Sequence, residues 1–261
     1  MDLVSGELWQ LGTVGIVEES NGLRAFFDDD LELAEICQKL QIAASDARLE
    51  MPFNPSEFLP LECDPILIGD HFFVAPSWLT APTPPGRFRL TIDATSAFGS
   101  GRHESTQLCI EVLEKHLKRG SFVVDIGCGS GILSAAAKLL GASAVLSCDI
   151  HQDSVRTAKT LIDTPVFVGS ADCIKSHVAD LVLANISVRI LDLVAEDLQR
   201  IAKPGGILVL SGFLTENSPK LFRPRKVFKK GEWQCWICRP EDIAPGKSNG
   251  EIATHEQQWW L

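Results

Sequence analysis

One stretch, residues 121–149, constrains the fold more than any other part of the chain. Phe122–Ile126 is a short apolar run, rich in β-branched residues, that ends abruptly in glycines. This pattern predicts a buried parallel strand running into a tight turn. Residues 132–140 have the composition of a helix, and residues 144–148 form a second apolar run that ends at Asp149. A strand, turn, helix and strand with an acid about twenty residues after the glycines are typical of a nucleotide-type site.

The residues of the glycine turn limit the class of ligand that it can bind. Gly127, Gly129 and Gly131 form GxGxG, not the GxGxxG of a dinucleotide site, and no Lys or Arg in the turn would meet a diphosphate. Asp125 precedes the turn and suits a cationic ligand end, while Asp149 suits ribose hydroxyls. S-adenosylmethionine has a cationic end, with an ammonium and a sulfonium, and a ribose, and it carries no phosphate. The alternative is that the glycines only permit close packing.

A second glycine-rich loop opens a helix farther upstream. Residues 93–106 contain Gly99 and Gly101, which permit a loop that folds over a ligand. Thr106 falls in the first helical turn, where its hydroxyl and the nearby amides can face a carboxylate. The alternative is a flexible loop followed by an ordinary helix cap.

Strands and helices continue to alternate after Asp149, which predicts a parallel sheet with helices on both faces. Ligands of such sheets lie at the carboxyl ends of the strands, where Gly127, Asp149, Asp172 and Asn185 all fall. The predicted strands are 166–168, 180–184 and 207–210, the helices 153–161 and 190–201, and a turn covers 203–206.

The N-terminal part predicts a small α+β lobe over residues 1–50 that lacks an opening strand. Its elements are a helix over 1–10, a hairpin of strands 11–17 and 23–27 around Asn21-Gly22, and a helix over 31–42. Residues 51–92 are rich in proline and read as a linker with leading strands. Those strands are 66–68, 71–74 and 87–92, the last with Phe88, Leu90 and Ile92 pointing inward.

The C-terminal part predicts a hairpin of residues 227–230 and 233–238, then a loose polar tail over 241–261. The basic residues near the hairpin suit either an RNA contact or, more commonly, an edge strand protected by lysines. They are Lys220, Arg223, Arg225, Lys226, Lys229 and Lys230.

The composition, 45% hydrophobic and 22% charged over 261 residues, is that of an ordinary globular protein. No apolar run reaches membrane-spanning length, and the net charge of −10 argues against a surface that coats nucleic acid such as DNA. The scattered cysteines predict buried free thiols in a reducing cytoplasm and no metal site. Cys235 and Cys238 form a CxxC, but the apolar run around them favours a strand.

Residues 93–213 closely resemble the PrmA family, lysine methyltransferases of the large-subunit stalk-base ribosomal protein. The carrying motifs are Ala97-Phe-Gly-Ser-Gly-Arg-His-Glu-Ser-Thr106, Asp125-Ile-Gly-Cys-Gly-Ser-Gly131, Asp149-Ile150, Asp180-Leu-Val-Leu-Ala-Asn185-Ile186 and Lys203-Pro-Gly-Gly206. The glycine and Asp elements are common to many class I methyltransferases. The Phe-Gly-Ser-Gly-x-His-x-Ser-Thr loop combined with Ala-Asn-Ile is more specific.

The resemblance implies an α/β class I methyltransferase domain with a Rossmann-like seven-stranded sheet over 93–240, after a truncated ferredoxin-like lobe that recognises the substrate. It implies that Thr106, Gly127, Asp149 and Asn185 contact S-adenosylmethionine. The chain departs from the family in its short first lobe, in the absence of a tryptophan-rich stretch before the linker, and in a helix after the fifth strand cut down to residues 215–221. These departures lie outside the cofactor pocket and concern the substrate.

Asn185 is the predicted catalytic residue, because an amide at the mouth of the fourth strand can accept a hydrogen bond from a substrate amine. Its alternative role is to cap the strand or hold the cofactor only. The chain has no tyrosine, so Phe98 is the candidate aromatic wall, and His103 is expected to bind or gate in the loop. Three rivals remain: a methyltransferase of another substrate, a non-catalytic cofactor-binding or ribosome-associated module, and, as the weakest, a dehydrogenase.

Overall fold

The computed structural model describes residues 8, 13, 15–19, 22–26, 33–40, 64–92 and 101–244. The chain divides into two compact units, residues 1–59 and 60–261. The sequence-based domain limits at residues 50, 92 and 240 remain predictions.

The first unit contains the predicted hairpin with shifted bounds: its first strand covers residues 15–19 rather than 11–17, and Gly22, predicted to lie in the turn, begins the second strand. Strands β1 (Gly15–Glu19) and β2 (Gly22–Phe26) pair antiparallel, with Gly15 opposite Phe26. Helix α1 (Leu33–Leu40) lies within the predicted helix over 31–42 and buries Cys37 and Leu40. Apart from Leu8, which is helical, the predicted helix over 1–10 lies outside the described residues.

The second unit opens with a three-stranded sheet. Strand β3 (Ile66–Ile68) pairs antiparallel with β4 (Phe72–Pro76), which pairs parallel with β5 (Phe88–Ile92). Leu90 and Ile92 are buried as predicted, but Phe88 is 39% exposed, so its inward assignment is wrong. Phe88 is the first residue of its strand, at the end of the sheet, and its ring centroid lies 6.0 Å from that of Phe72.

A seven-stranded sheet follows in the order β11-β12-β10-β9-β6-β7-β8, which confirms the predicted fold class. Strands β6 to β10 run parallel, and β12 pairs antiparallel with both β10 and β11. The strands are β6 (Phe122–Ile126), β7 (Ala144–Asp149), β8 (Val166–Val168), β9 (Ala179–Asn185), β10 (Ala202–Leu214), β11 (Lys226–Lys230) and β12 (Trp233–Cys238).

Helices cover both faces of this sheet because its central strands are apolar on both sides. Successive side chains of a strand point to opposite faces, so Val123 belongs to one buried cluster and Val124 to the other. The helices are α2 (Glu104–His116), α3 (Ile132–Leu139), α4 (Gln152–Leu161), α5 (Val188–Leu193) and α6 (Ala195–Ile201). None of the described helices is long and apolar enough to cross a membrane.

Strand β10 is longer than predicted. Ala202 pairs with Ala179 and Ile207 with Leu181, so five residues of β10 advance against two of β9. The predicted turn over 203–206 is therefore a bulge inside one strand, with Gly205 at φ +77°.

The helix expected over residues 215–221 is absent from this described stretch. The carboxylate of Asp192 accepts hydrogen bonds from the backbone amides of Lys220 and Leu221, which holds the segment in a non-helical conformation. Pro219, which precedes them, also opposes a helix because it restricts the residue before it.

The C-terminal hairpin is confirmed, but its continuation differs from the prediction. Residues 240–242 form a short 3-10 turn, and the buried Ile243 bridges Phe222, so the expected loose tail does not begin at residue 241. Residues 245–261 lie outside the described part.

The basic residues near the hairpin and the CxxC cysteines have structural positions. Lys226 and Lys229 are exposed on β11, the edge strand of the sheet, as an edge protected by lysines requires. Arg225 pairs with Glu241 and Asp242. Cys235 and Cys238 are buried free thiols within β12, which confirms the strand interpretation.

Candidate active site

The strand order brings the predicted site residues to one edge of the sheet. Gly127 directly follows β6, the strand that lies between β7 and β9. Asp149 is the last residue of β7, and Asn185 is the last residue of β9. Ile126 at the end of β6 pairs with Cys148 on one side and with Ala184 on the other. Asp149 and Asn185 therefore flank the glycine turn.

The glycine turn is held against β7 by its backbone. The amides of Gly127 and Cys128 both donate to the carbonyl of Cys148, at 2.9 and 3.0 Å. Gly127 has φ +69°, and a Cβ there would lie 2.5 Å from Cγ2 of Ile186. Gly131, at φ +83°, is the N-cap of α3. The glycines are thus required by backbone conformation and by the close approach of Ile186.

Asp149 ties the end of β7 to the turn. Its Oδ2 accepts a hydrogen bond from the Gly129 amide and its Oδ1 from the His151 amide, each at 2.9 Å. The side chain is buried, so these two bonds fix its direction. A carboxylate has about four acceptor positions, which leaves capacity for two hydroxyl donors of a ligand.

Asp125 is a buried carboxyl directly beneath the turn. Ser134 donates a hydrogen bond to its Oδ2 at 2.5 Å, and Ser134 Oγ lies 2.8 Å from Ser147 Oγ. Burial, with a smaller contribution from the nearby Asp149, raises the pKa of Asp125 to about 6 despite the lowering effect of the hydrogen bonds from Ser134. Its Oδ1 is buried and has no hydrogen-bond partner among the described residues.

Asn185 and Thr106 form a pair that joins β9 to α2. The Asn185 side-chain amide nitrogen donates to Thr106 Oγ1 at 3.4 Å, and Thr106 is buried in the first turn of the helix. Asn185 Oδ1 is buried and, within the described part of the chain, has no partner. The amide of Asn185 is therefore oriented by Thr106, with its acceptor oxygen left for another donor.

His103 has a structural position beside this pair. Its Nδ1 accepts a hydrogen bond from the Ser105 amide and lies 2.7 Å from Ser105 Oγ, which makes it the N-cap of α2. Its ring packs at 72° against the Trp233 ring, with centroids 4.3 Å apart. Trp233 was not predicted as a site residue, and its only signal in the sequence is an aromatic residue that opens the last strand.

Of the remaining predicted residues, one lies on a separate turn after β8 and two lie outside the described part. Asp172 is exposed on the 3-10 turn Ala171–Cys173 after β8, and its Oδ1 lies 3.6 Å from the thiol of Cys173. Phe98 and Gly99 are not among the described residues. No group of three or more His, Cys, Asp or Glu in the described ranges is arranged to hold a metal ion.

The parallel sheet, the glycine turn after β6 and the acid that ends β7 define a class I S-adenosylmethionine-dependent methyltransferase. The family model for "Ribosomal protein L11 methyltransferase (PrmA)" matches residues 60–240. The chain belongs to this family, and it is a methyltransferase.

Individual relatives agree with this assignment. The chain is 32% identical over 234 residues to the ribosomal protein L11 methyltransferase of Janthinobacterium sp. (strain Marseille), covering 84% of this chain and 75% of that one. It is 40% identical over 182 residues to that of Burkholderia lata, covering 67% of this chain and 60% of that one. The crystal structure of ribosomal protein L11 methylase from Lactobacillus delbrueckii subsp. bulgaricus matches with a TM-score of 0.59 and 28% identity, over 67% of this chain and 98% of that one.

S-adenosylmethionine is the cofactor of this class, and the donor set of the site fits it. The buried oxygens without a described partner include Asp125 Oδ1 and Asn185 Oδ1, and both belong to residues at the glycine-turn edge of the sheet. Both are acceptors, and the cationic end of the cofactor supplies a donor and a compensating positive charge for the buried carboxylate of Asp125. The described part of the turn has no basic side chain that would repel such a ligand.

Proposed function

We propose that this chain transfers methyl groups from S-adenosylmethionine to lysine side chains or the N-terminal amine of ribosomal protein L11, the stalk-base protein of the large subunit. Membership of the family and the curated relatives' names support the substrate. The acceptor is the free protein or the protein within the ribosome, which implies that the enzyme acts in the cytoplasm.

We further propose how the site holds its cofactor. Asp149 receives the ribose hydroxyls, because its two backbone bonds leave acceptor positions free. Asp125 faces the cationic end, and the glycine turn allows close approach of the backbone. The full proposed set is Phe98, Gly99, His103, Thr106, Asp125, Gly127, Gly129, Gly131, Asp149, Asp172 and Asn185.

Asn185 is the proposed catalytic residue, and one observation carries this role: its Oδ1 is a buried acceptor at the end of β9 with no described partner. When bound, the cofactor supplies a methyl group that is already activated on a sulfonium sulfur. Asn185 Oδ1 accepts a hydrogen bond from the neutral substrate amine and so aims the nitrogen lone pair. Thr106 keeps the amide in this orientation by accepting from its nitrogen.

His103 is a weaker candidate for that role. Its Nδ1 is engaged with Ser105 in the helix cap, and its ring packs against Trp233. A residue fixed in this way contributes a wall of the site, and methyl transfer needs position and removal of water more than a strong base.

Replacing Asn185 tests the catalytic role. We expect Asn185→Ala to lower kcat about 100-fold, because misplaced reacting groups cost about that factor, while cofactor affinity changes only a few-fold. Asn217→Ala, at an exposed asparagine in the turn after β10, is the matched control. Turnover of Asn185→Ala equal to that of the control would exclude the positioning role.

The substrate requires a separate test, because the family model begins at residue 60 and does not include the first unit. A methyltransferase that acts on another protein or a small molecule is therefore the second candidate. Labelled S-adenosylmethionine is supplied with purified ribosomal protein L11 and, separately, with a lysate that lacks this enzyme. Label on L11 supports the proposal, whereas label only on another species keeps methyl transfer and rejects this substrate.

A further inference from the structure

We propose that Arg200 is a positioning residue for cofactor recognition, because its guanidinium holds the turn that carries Asp172. This inference rests on the proposed function in one respect, namely that Asp172 contacts the cofactor. Arg200 lies in α6, whereas Asp172 lies on the 3-10 turn after β8.

The turn needs an external support. It follows β8, a three-residue strand at the edge of the sheet whose only described strand partner is β7. Ala171 and Ile174 are buried and anchor the two ends of the turn. Asp172 itself is exposed, and its one described side-chain contact is with the neighbouring thiol of Cys173. Its carboxylate is therefore directed by the backbone of the turn.

Arg200 supplies that support. Its Nη2 donates to the carbonyls of Ala171 at 3.1 Å and Asp172 at 3.4 Å, and its Nη1 donates to the carbonyl of Ile174 at 2.5 Å. The guanidinium is in turn fixed by Asp197, whose Oδ1 accepts from Nε at 3.1 Å and from Nη2 at 2.7 Å. A guanidinium can bind three carbonyls and a carboxylate at once because it is planar and has five N–H donors, which no other side chain has.

The chemistry of the turn indicates which part of the cofactor it reads. The amide of Gly169 donates to the carbonyl of Asp149, so the turn begins beside the proposed ribose site. The base is attached to the ribose and extends from it. A carboxylate only accepts hydrogen bonds, and the exocyclic amino group is the donor that adenine offers. Arg200 thus sets the direction of Asp172 and, through it, the selection of adenine.

The test compares affinities for S-adenosylhomocysteine and S-inosylhomocysteine, which has a carbonyl in place of the amino group. Calorimetric titration of the wild-type chain is expected to favour the adenine compound by about tenfold, as for one hydrogen bond to a charged group. This preference should approach unity in Arg200→Gln and in Asp172→Ala. Because Arg200 acts through Asp172, the double variant should be no worse than Asp172→Ala, which is non-additive behaviour.

Arg156→Gln is the matched control, since Arg156 also pairs with an acid three residues earlier, Asp153, but has no described hydrogen bond to the backbone of a turn. Arg200→Lys is a second variant that keeps the charge without the fork and should lose part of the preference, so the test survives if Arg200→Gln does not fold. A preserved adenine preference in either Arg200 variant, or additive losses in the double variant, would overturn the inference. No ribosomal protein is needed, so failure of L11 methylation is a distinguishable result.

Discussion

The buried carboxyl of Asp125 should make the stability of the fold depend on pH. Burial raises its pKa to about 6 from an ordinary value of 3.8. A group whose pKa is higher in the folded state gives stability that is fully present below the unfolded pKa and is lost as pH rises through the folded pKa. The shift corresponds to about 3 kcal/mol, of which about 2 kcal/mol is lost between roughly pH 4.5 and pH 7. Asp125→Asn removes this loss because the amide does not ionise.

The assay is urea unfolding of both proteins, without cofactor, across that pH range. The difference in unfolding free energy should shift in favour of Asp125→Asn by about 2 kcal/mol as pH rises, while all groups common to both proteins cancel. Asp180→Asn is the control: burial opposes it, but Lys203 and the Phe122 amide lower the pKa of Asp180 below its ordinary value, so the stability from that carboxylate is lost only below the assay range and its difference from wild type should stay constant within it. A constant difference between wild type and Asp125→Asn would refute the burial argument.

Two further substitutions test how the site and its frame are built. Gly127→Ala should destabilise the fold by about 2 kcal/mol or more and weaken cofactor binding, because it combines a left-handed backbone with a Cβ 2.5 Å from Ile186. Gly120→Ala is the control, because Gly120 has φ +83° with open space around it, so its substitution measures the cost of the left-handed backbone alone. If both variants lose the same unfolding free energy, the clash with Ile186 contributes nothing. Glu114→Gln should cost about 1–3 kcal/mol, since the buried carboxylate accepts from the amides of Asp70 and His71. Thermal unfolding against the exposed Glu216→Gln checks this, and equal midpoints would contradict it.

The sheet was predictable from sequence because its strands are apolar runs that end in recognisable polar residues. The errors arose where tertiary contacts override a local signal. Residues 203–206 have the composition of a turn, yet Ala202 before them and Ile207 after them both pair with β9, which keeps them within β10 as a bulge. The helix expected over 215–221 followed from the family pattern, whereas Asp192, distant in sequence, accepts hydrogen bonds from the amides of its last two residues, Lys220 and Leu221.

The site was predictable to the extent that strand ends converge. Parallel strands put the residues after β6, β7 and β9 at one edge whatever the side chains between them. The link from Asn185 to Thr106 joins residues 79 positions apart, and no local pattern encodes it. The contacts of Arg200 were also not predictable, because it donates to three backbone carbonyl oxygens, which every residue carries whatever its side chain.

The polar groups of the site fall into two kinds, and the difference bears on why it is built this way. Asp149 has both oxygens hydrogen-bonded to amides, so it is formed before any ligand arrives. Asp125 and Asn185 each keep a buried oxygen without a described partner. Such an oxygen costs on the order of 1–3 kcal/mol, and a ligand that supplies a donor recovers this amount. Stability lost in the free chain is then available as affinity, which is why a more stable Asp125→Asn protein should also bind a cationic cofactor more weakly.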